Sequence, residues 1–164
     1  KFCDAGAKWI HIVDIDGAMT QQGIELFVAS YQGRVALLDN RTGRKLWQQN
    51  VSSVTGTHVG FGNVYVADVD GTLSAFLRTG QGVRWQNIEL GYRQLSRPTP
   101  VSSYVATVDF DGYLHLLSQV DGQIVGRTKI GGDAARADMI ADSGRLIIFA
   151  DNGQLLAYEL ETLD

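Results

Sequence analysis

Four times along the chain a short apolar run meets a turn ending in glycine, and a second apolar run follows. The turns are Gln32-Gly33, Asp70-Gly71, Asp111-Gly112 and Asn152-Gly153, and their glycines are spaced 38, 41 and 41 residues apart. Strand-only units with a period near forty must stack on one another to make a core, which predicts an all-β fold, a β-propeller of four-stranded antiparallel blades. The 164 residues hold about four such units, at roughly 14–50, 51–90, 91–130 and 131–164. Residues 1–13 form an N-terminal segment, read as a loop or as a closing strand at 7–13.

Within each unit the strands are short and rich in Val, Ile, Leu, Phe and Tyr, as a pleated surface prefers. Unit one reads as strands at 24–29, 35–39 and 45–50, unit two as 64–67, 73–77 and 83–87. Unit three reads as 104–108, 113–117 and 124–128, unit four as 146–150 and 155–160. An innermost strand opens each unit, at 17–20, 57–60, 99–103 and 138–141. The last competes with a helical turn, because 134–141 holds good helix formers; its place in the repeat decides for strand. The glycines at 33, 71, 112 and 153 are assigned to two-residue hairpins, which need the positive φ that Asp-Gly and Asn-Gly supply. Trp47 and Trp85 each lie fourteen residues after their hairpin glycine; in unit three that position is Gly126, and in unit four it falls beyond Asp164.

Composition removes several classes of function. The net charge of −4 argues against a nucleic-acid binder, which would normally carry a basic patch. The longest apolar runs are strand-sized, and no run of like charge suggests a polybasic membrane anchor. Cys3 is the one cysteine, so no intrachain disulfide forms. A serine elbow, a phosphate-binding loop and a dinucleotide fingerprint are all absent, and no catalytic residue is assigned.

Asp-x-Asp-Gly occurs three times, at 14–17, 68–71 and 109–112. Clustered carboxylates can hold calcium, but the calcium loop then requires an oxygen side chain followed by a glycine, and the chain has Ala18 and Met19, Thr72 and Leu73, and Tyr113 and Leu114. The second and third copies coincide with hairpins and are read as turn chemistry. Asp14 and Asp16 precede no hairpin and are read as partner-binding, with a solvated loop as the alternative. His11 stands beside them and joins that surface. His58 and His115 pair with no other ligand at metal spacing; His115 alternates with Leu114 and Leu116 and is given a structural role.

Residues 36–51, ALLDNRTGRKLWQQNV, are similar to the repeat of pyrroloquinoline-quinone (PQQ) dehydrogenases, in which the tryptophan packs between blades. That resemblance implies a blade-packing role for Trp47 and Trp85. A quinone enzyme would also need calcium ligands and adjacent cysteines, so no cofactor and no metal are expected. VDIDGAM at 13–19, together with residues 26–48 and 109–130, resembles the BamB family, lipoproteins of the outer-membrane β-barrel assembly machinery. The likeness runs over roughly 9–160.

The resemblance implies an eight-bladed propeller, of which this chain matches the C-terminal half. It implies a non-catalytic scaffold on the periplasmic face of the outer membrane that binds the POTRA domains of BamA. Asp14 and Asp16 stand at the family's Asp-x-Asp contact. The family's other contact, a Leu-x-Leu-Arg loop one blade earlier, is missing here, and Cys3 is not at the family's lipid-anchored position. The chain is therefore expected to be a fragment with BamA binding weakened or lost, and its half-rings to associate as a two-fold dimer in preference to tightening into a smaller ring or aggregating. A PQQ-dependent dehydrogenase and a PQQ-like sensor domain are the alternatives.

Overall fold

The structure, a computed structural model, describes residues 18–22, 25–30, 33–53, 55–80, 82–131 and 133–160. It is all-β: among the described residues fifteen strands form four antiparallel sheets, each running in chain order. The first sheet holds β1 (Ala18–Gln22), β2 (Glu25–Ser30), β3 (Arg34–Asp39) and β4 (Lys45–Gln49). The second holds β5 (Thr57–Gly60), β6 (Asn63–Ala67), β7 (Leu73–Leu77) and β8 (Val83–Asn87). The third holds β9 (Thr99–Val101), β10 (Tyr104–Val108), β11 (Tyr113–Ser118) and β12 (Ile124–Lys129). Three strands of the fourth are described, β13 (Ile140–Asp142), β14 (Arg145–Phe149) and β15 (Leu155–Glu159). The first strands of the sheets lie side by side, β1 on β5, β5 on β9 and β9 on β13, so the sheets radiate as blades from a common hub.

Alternation along each strand explains the stacking. Val64 and Val66 of β6 turn toward blade one, where they join Phe27, Val35 and Leu37. Tyr65 and Ala67 turn the other way, toward Val105 and Leu117 of blade three. A third layer joins Ala106, Val108 and Leu114 to Leu146, Ile148 and Ala150 of blade four. β6 is therefore buried at every residue, as a strand covered on both faces must be. β14 instead alternates between buried and exposed positions.

The hairpins differ from the sequence expectation. After β6, Gly71 N donates to Asp68 O at 3.1 Å and Asp68 N donates to Thr72 O at 3.0 Å. The same pair of bonds joins Gly112 to Asp109 and Asp109 to Tyr113, and again Gly153 to Ala150 and Ala150 to Gln154. These are three-residue loops, a type I turn closed by a glycine at positive φ, not two-residue turns. Two-residue turns with positive φ at both positions occur elsewhere, at Phe61-Gly62 and Ser143-Gly144 between the first and second strands. The innermost strand of blade three is shorter than 99–103, because Ser102 already turns. Residues 134–139 form an irregular connection, neither helix nor strand, and β13 starts only at Ile140. The strand expected at 7–13 lies outside the described residues, as do 161–164.

A second set of turns couples neighbouring blades. Trp47 Nε1 donates to Arg78 O at 3.2 Å, and Trp85 Nε1 donates to Gln119 O at 3.0 Å. Each indole lies on a glycine of the next blade. A Cβ at Gly80 would fall 2.2 Å from the Trp47 ring, and one at Gly122 would fall 2.4 Å from the Trp85 ring. Beneath Trp85, Tyr65 Oη donates to Gln119 Oε1 at 2.8 Å, and Gln119 Nε2 donates to the carbonyls of Ser102 and Tyr104. Burial pushes the Tyr65 phenol up from its ordinary pKa. Gly126, at the tryptophan position of blade three, packs against Leu116 instead.

Replacing the indole seat should separate steric cost from backbone cost. Gly122→Ala meets both the Trp85 ring and a φ of +76, whereas Gly62→Ala meets only a φ of +72 with nothing within 4 Å. Gly122→Ala should lose about 3 kcal/mol and Gly62→Ala about 1 kcal/mol, read from urea midpoints.

Candidate functional site

The blades have two unlike ends. At one end the turns between third and fourth strands meet the two-residue hairpins: Arg78 N donates to Gly62 O, and Gln119 N to Ser103 O. At the other end the hairpins between second and third strands, Asp-x-Asp-Gly in blades two and three and Ala-Asp-Asn-Gly in blade four, meet the loops that connect one blade to the next. Val69 N donates to Ser52 O, Phe110 N to Arg93 O and Asp151 N to Ala134 O. Tyr92 N also donates to Asp70 O at 2.7 Å. Gly71 presses so closely on this connection that a Cβ there would lie 2.5 Å from Leu90 O.

The hairpin aspartates organise this end. Asp68 Oδ1 accepts from Asp70 N at 3.0 Å and Thr72 N at 2.8 Å. Asp109 Oδ1 accepts from Tyr113 N at 2.9 Å, while its Oδ2 meets His115 Nε2 at 2.8 Å and Arg93 Nη1 at 3.0 Å. A carboxylate can only accept, so His115 Nε2 carries the proton. Asp109 is fully buried and His115 nearly so. Burial pushes the Asp109 carboxyl up, but the His115 and Tyr113 donors and the Arg93 guanidinium outweigh it and hold the group below the usual carboxylate range.

At the hub the inner connections close on a cavity of about 590 Å³. Thr55, Arg97 and Asp138, each two residues ahead of an innermost strand, all line it. Arg97 spans three blades, donating to Thr57 O through Nε at 2.9 Å and Nη2 at 2.6 Å and to Asp138 Oδ2 through Nη1 at 2.6 Å. Burial, then the nearby Arg97 charge, pushes the His58 imidazole below its ordinary pKa. Phe110 and Arg136 border both this cavity and an adjoining hollow of about 690 Å³ that reaches Phe149. Arg136 is held by Asp151 at 3.1 Å. Beyond the carboxylates paired with Arg93 (Asp109 and Asp111), Arg97 and Arg136, the same loops carry Asp68, Asp70, Glu89 and Asp133, so this end is acidic.

Asp14, Asp16 and His11 lie outside the described residues. Trp47 and Trp85 sit between blades, and Gly71, Gly112 and Gly153 close the hairpins at the acidic end; Gly33 has a φ of +97 beside Ser52 Oγ. Among the described residues no group of three or more His, Cys, Asp or Glu could hold a metal ion. The sequence reading missed Arg93 and Arg97, and it missed the partner of His115. The signal was there: His115 follows Asp109 by six residues, one hairpin apart on facing strand ends.

A family model described as outer membrane protein assembly factor BamB matches residues 4–87. The chain belongs to the BamB family. The BamB of Pseudomonas aeruginosa is 47% identical over 125 residues, which are 76% of this chain and 33% of that protein. The crystal structure of BamB from Moraxella catarrhalis superposes with a TM-score of 0.82 at 30% identity, over 92% of this chain and 46% of that one. The chain thus spans about a third of the length of the curated BamB relatives it matches. The quinohemoprotein alcohol dehydrogenase of Comamonas testosteroni shares the fold alone, with a TM-score of 0.64 at 15% identity over 80% of this chain and 28% of that one.

The buried aspartate of blade three gives a pH prediction. Its folded pKa is lowered, so its contribution is complete above about pH 4 and is lost as pH falls through the lower folded value. Asp109→Asn should cost about 3 kcal/mol at pH 7, because the Arg93 guanidinium loses its buried counter-charge and the His115 Nε2–H loses its carboxylate acceptor. Urea midpoints of both proteins from pH 7 to pH 3 should converge in acid.

Proposed function

We propose that this chain is the binding part of a non-catalytic scaffold in the outer-membrane protein assembly machinery. Membership of the BamB family carries the reading, since its named members are assembly factors. In this reading the parent protein works on the periplasmic face of the outer membrane. It docks the POTRA domains of BamA, orients the assembly machinery and so assists insertion of β-barrel proteins. It processes no substrate.

Asp14 and Asp16 are the docking residues, pairing with basic side chains of the partner, with His11 beside them. One regularity supports their placement. Asp16 stands two residues ahead of β1, as Thr55, Arg97 and Asp138 stand two ahead of β5, β9 and β13. Those three gather at the mouth of the hub. Asp14→Lys or Asp16→Lys in a full-length BamB context should reduce BamA retained in co-purification by about tenfold, the scale of one charge-assisted contact. Retention equal to the unsubstituted protein would remove these residues from the interface.

Self-association is part of the same reading. Ile140, Phe149 and Leu155 share the face of blade four turned away from blade three, and all are more than half exposed. Two half-rings meeting about a two-fold axis would cover it. Light scattering of the purified chain should give the mass of a dimer; a monomer at high concentration counts against pairing.

A PQQ-dependent dehydrogenase is the second reading, favoured by the fold shared with the Comamonas enzyme. Incubation with PQQ and calcium, followed by gel filtration, should leave no quinone absorbance with the protein.

A further inference from the structure

The blades can be compared position by position at their acidic end. Asp68 and Asp109 make the same hairpin bonds, and Val69 N–Ser52 O corresponds to Phe110 N–Arg93 O. Blade three satisfies its aspartate from inside, with the Arg93 charge from the connecting loop and the His115 Nε2–H donor six residues on. At the corresponding positions blade two has Ser52 and Ser74. Ser74 Oγ is taken by Gln86 Nε2 at 3.1 Å. Among the described residues no cation lies within ion-pair distance of Asp68. Its Oδ1 is used by two backbone N–H groups, leaving Oδ2 as the free acceptor on a residue that lines the 590 Å³ cavity.

Other features of the cavity complete a site. Val69 and Phe110, the residues between the paired aspartates of the two hairpins, are 42% and 56% exposed and both border it. Thr55 Oγ1 on the same wall is buried with no hydrogen-bond partner. A carboxylate missing its cation, a ring beside it and an unpaired hydroxyl match a cationic side chain on a peptide backbone. The charge meets Asp68, the stem lies on Val69 and Phe110, and the backbone meets Thr55. A guanidinium fits better than an ammonium, because it stacks on an aromatic face while it binds a carboxylate. The adjoining hollow along Phe110 to Phe149 gives the segment room to continue.

We infer that the cavity between blades two, three and four seats an arginine of an extended basic segment from a partner protein, which supplies to Asp68 the counter-charge that Arg93 supplies to Asp109. This subsite does not rest on Asp14 and Asp16.

The test uses this chain and a fluorescein-labelled peptide Gly-Val-Arg-Leu-Arg-Val-Gly, read by fluorescence anisotropy at about 0.15 M salt. The partner peptide carries citrulline for arginine, which keeps the shape and removes the charge. The arginine peptide should bind about tenfold more tightly than the citrulline peptide. Asp68→Asn, which keeps the Oδ1 acceptor of the hairpin, should abolish that difference, with an unchanged circular dichroism spectrum. Phe110→Ala should weaken the arginine peptide about threefold, the scale of an exposed cation–π contact. Asp121→Asn, at the opposite end of blade three, should change nothing. Equal losses in Asp68→Asn and Asp121→Asn would mean diffuse attraction to an acidic protein and overturn the site. No loss in Asp68→Asn would do the same, as would spermidine displacing the peptide at the peptide's own dissociation constant, which would mark a site for small polycations.

Discussion

Everything in this molecule depends on one constraint: a blade has two apolar faces and can hide neither by itself. Val64 and Val66 point one way from β6, Tyr65 and Ala67 the other, so blade two is stable only between two neighbours. The indole seats turn that requirement into a fixed register. Trp85 is 7% exposed and its N–H is bound to the next blade's Gln119 carbonyl, so burial and hydrogen bonding act on the same ring. Burying such a ring is worth on the order of 2–3 kcal/mol, but only if the next blade presents a glycine there. Gly80 and Gly122 are therefore as much a part of the interface as the tryptophans.

That arrangement divides labour between the two ends of the blades. The indole seats and the Tyr65–Gln119 network occupy one end and set spacing and angle. The other end is left to the connecting loops and the Asp-x-Asp-Gly hairpins, which the sheets hold close together. Arg97 ties the hub at this end, reaching Thr57 in blade two and Asp138 ahead of blade four from a loop that leads into blade three. Tyr92 and Gln94 on the same loop adopt positive φ, at +60 and +49, a conformation that costs free energy and needs support from its surroundings. The bonds from Tyr92 to Asp70 and from Phe110 to Arg93 supply part of that support. Loops fixed in this way lose little further entropy when a partner orders them, which favours binding.

The period and the strands were legible because each strand must alternate and each hairpin must contain a residue at positive φ. The hairpin type was not legible from Asp-Gly alone. Asp70-Gly71 can close a two-residue turn, but Asp68 Oδ1 accepts from both Asp70 N and Thr72 N and selects the longer loop. The helix-like composition of 134–141 lost to tertiary demand: on an irregular path Ala135 and Met139 are buried in the layer between blades three and four, and Ala134 O accepts from Asp151 N of the blade-four hairpin rather than from a helical turn. The ion pairs were hidden for a different reason. Arg93 and Asp109 are sixteen residues apart, and Arg97 and Asp138 are forty-one apart, distances that only the stacking of blades closes.

The two hairpin aspartates show how one repeat can serve two ends. In blade three the carboxylate is sealed beneath the surface, and a buried charge without a partner would cost several kcal/mol, so Arg93 and His115 are needed for the fold. In blade two the same carboxylate is half-buried at the rim of a cavity, where water can solvate it and no internal cation is required. Partial solvation lets the chain keep an unpaired charge at small cost, and makes that charge the one with most to gain from an incoming cation. A repeat that fixes the backbone thus leaves the choice of inner or outer partner to two side chains, one on the connecting loop and one on the following strand. Histidine and arginine at those positions close the site, and two serines open it.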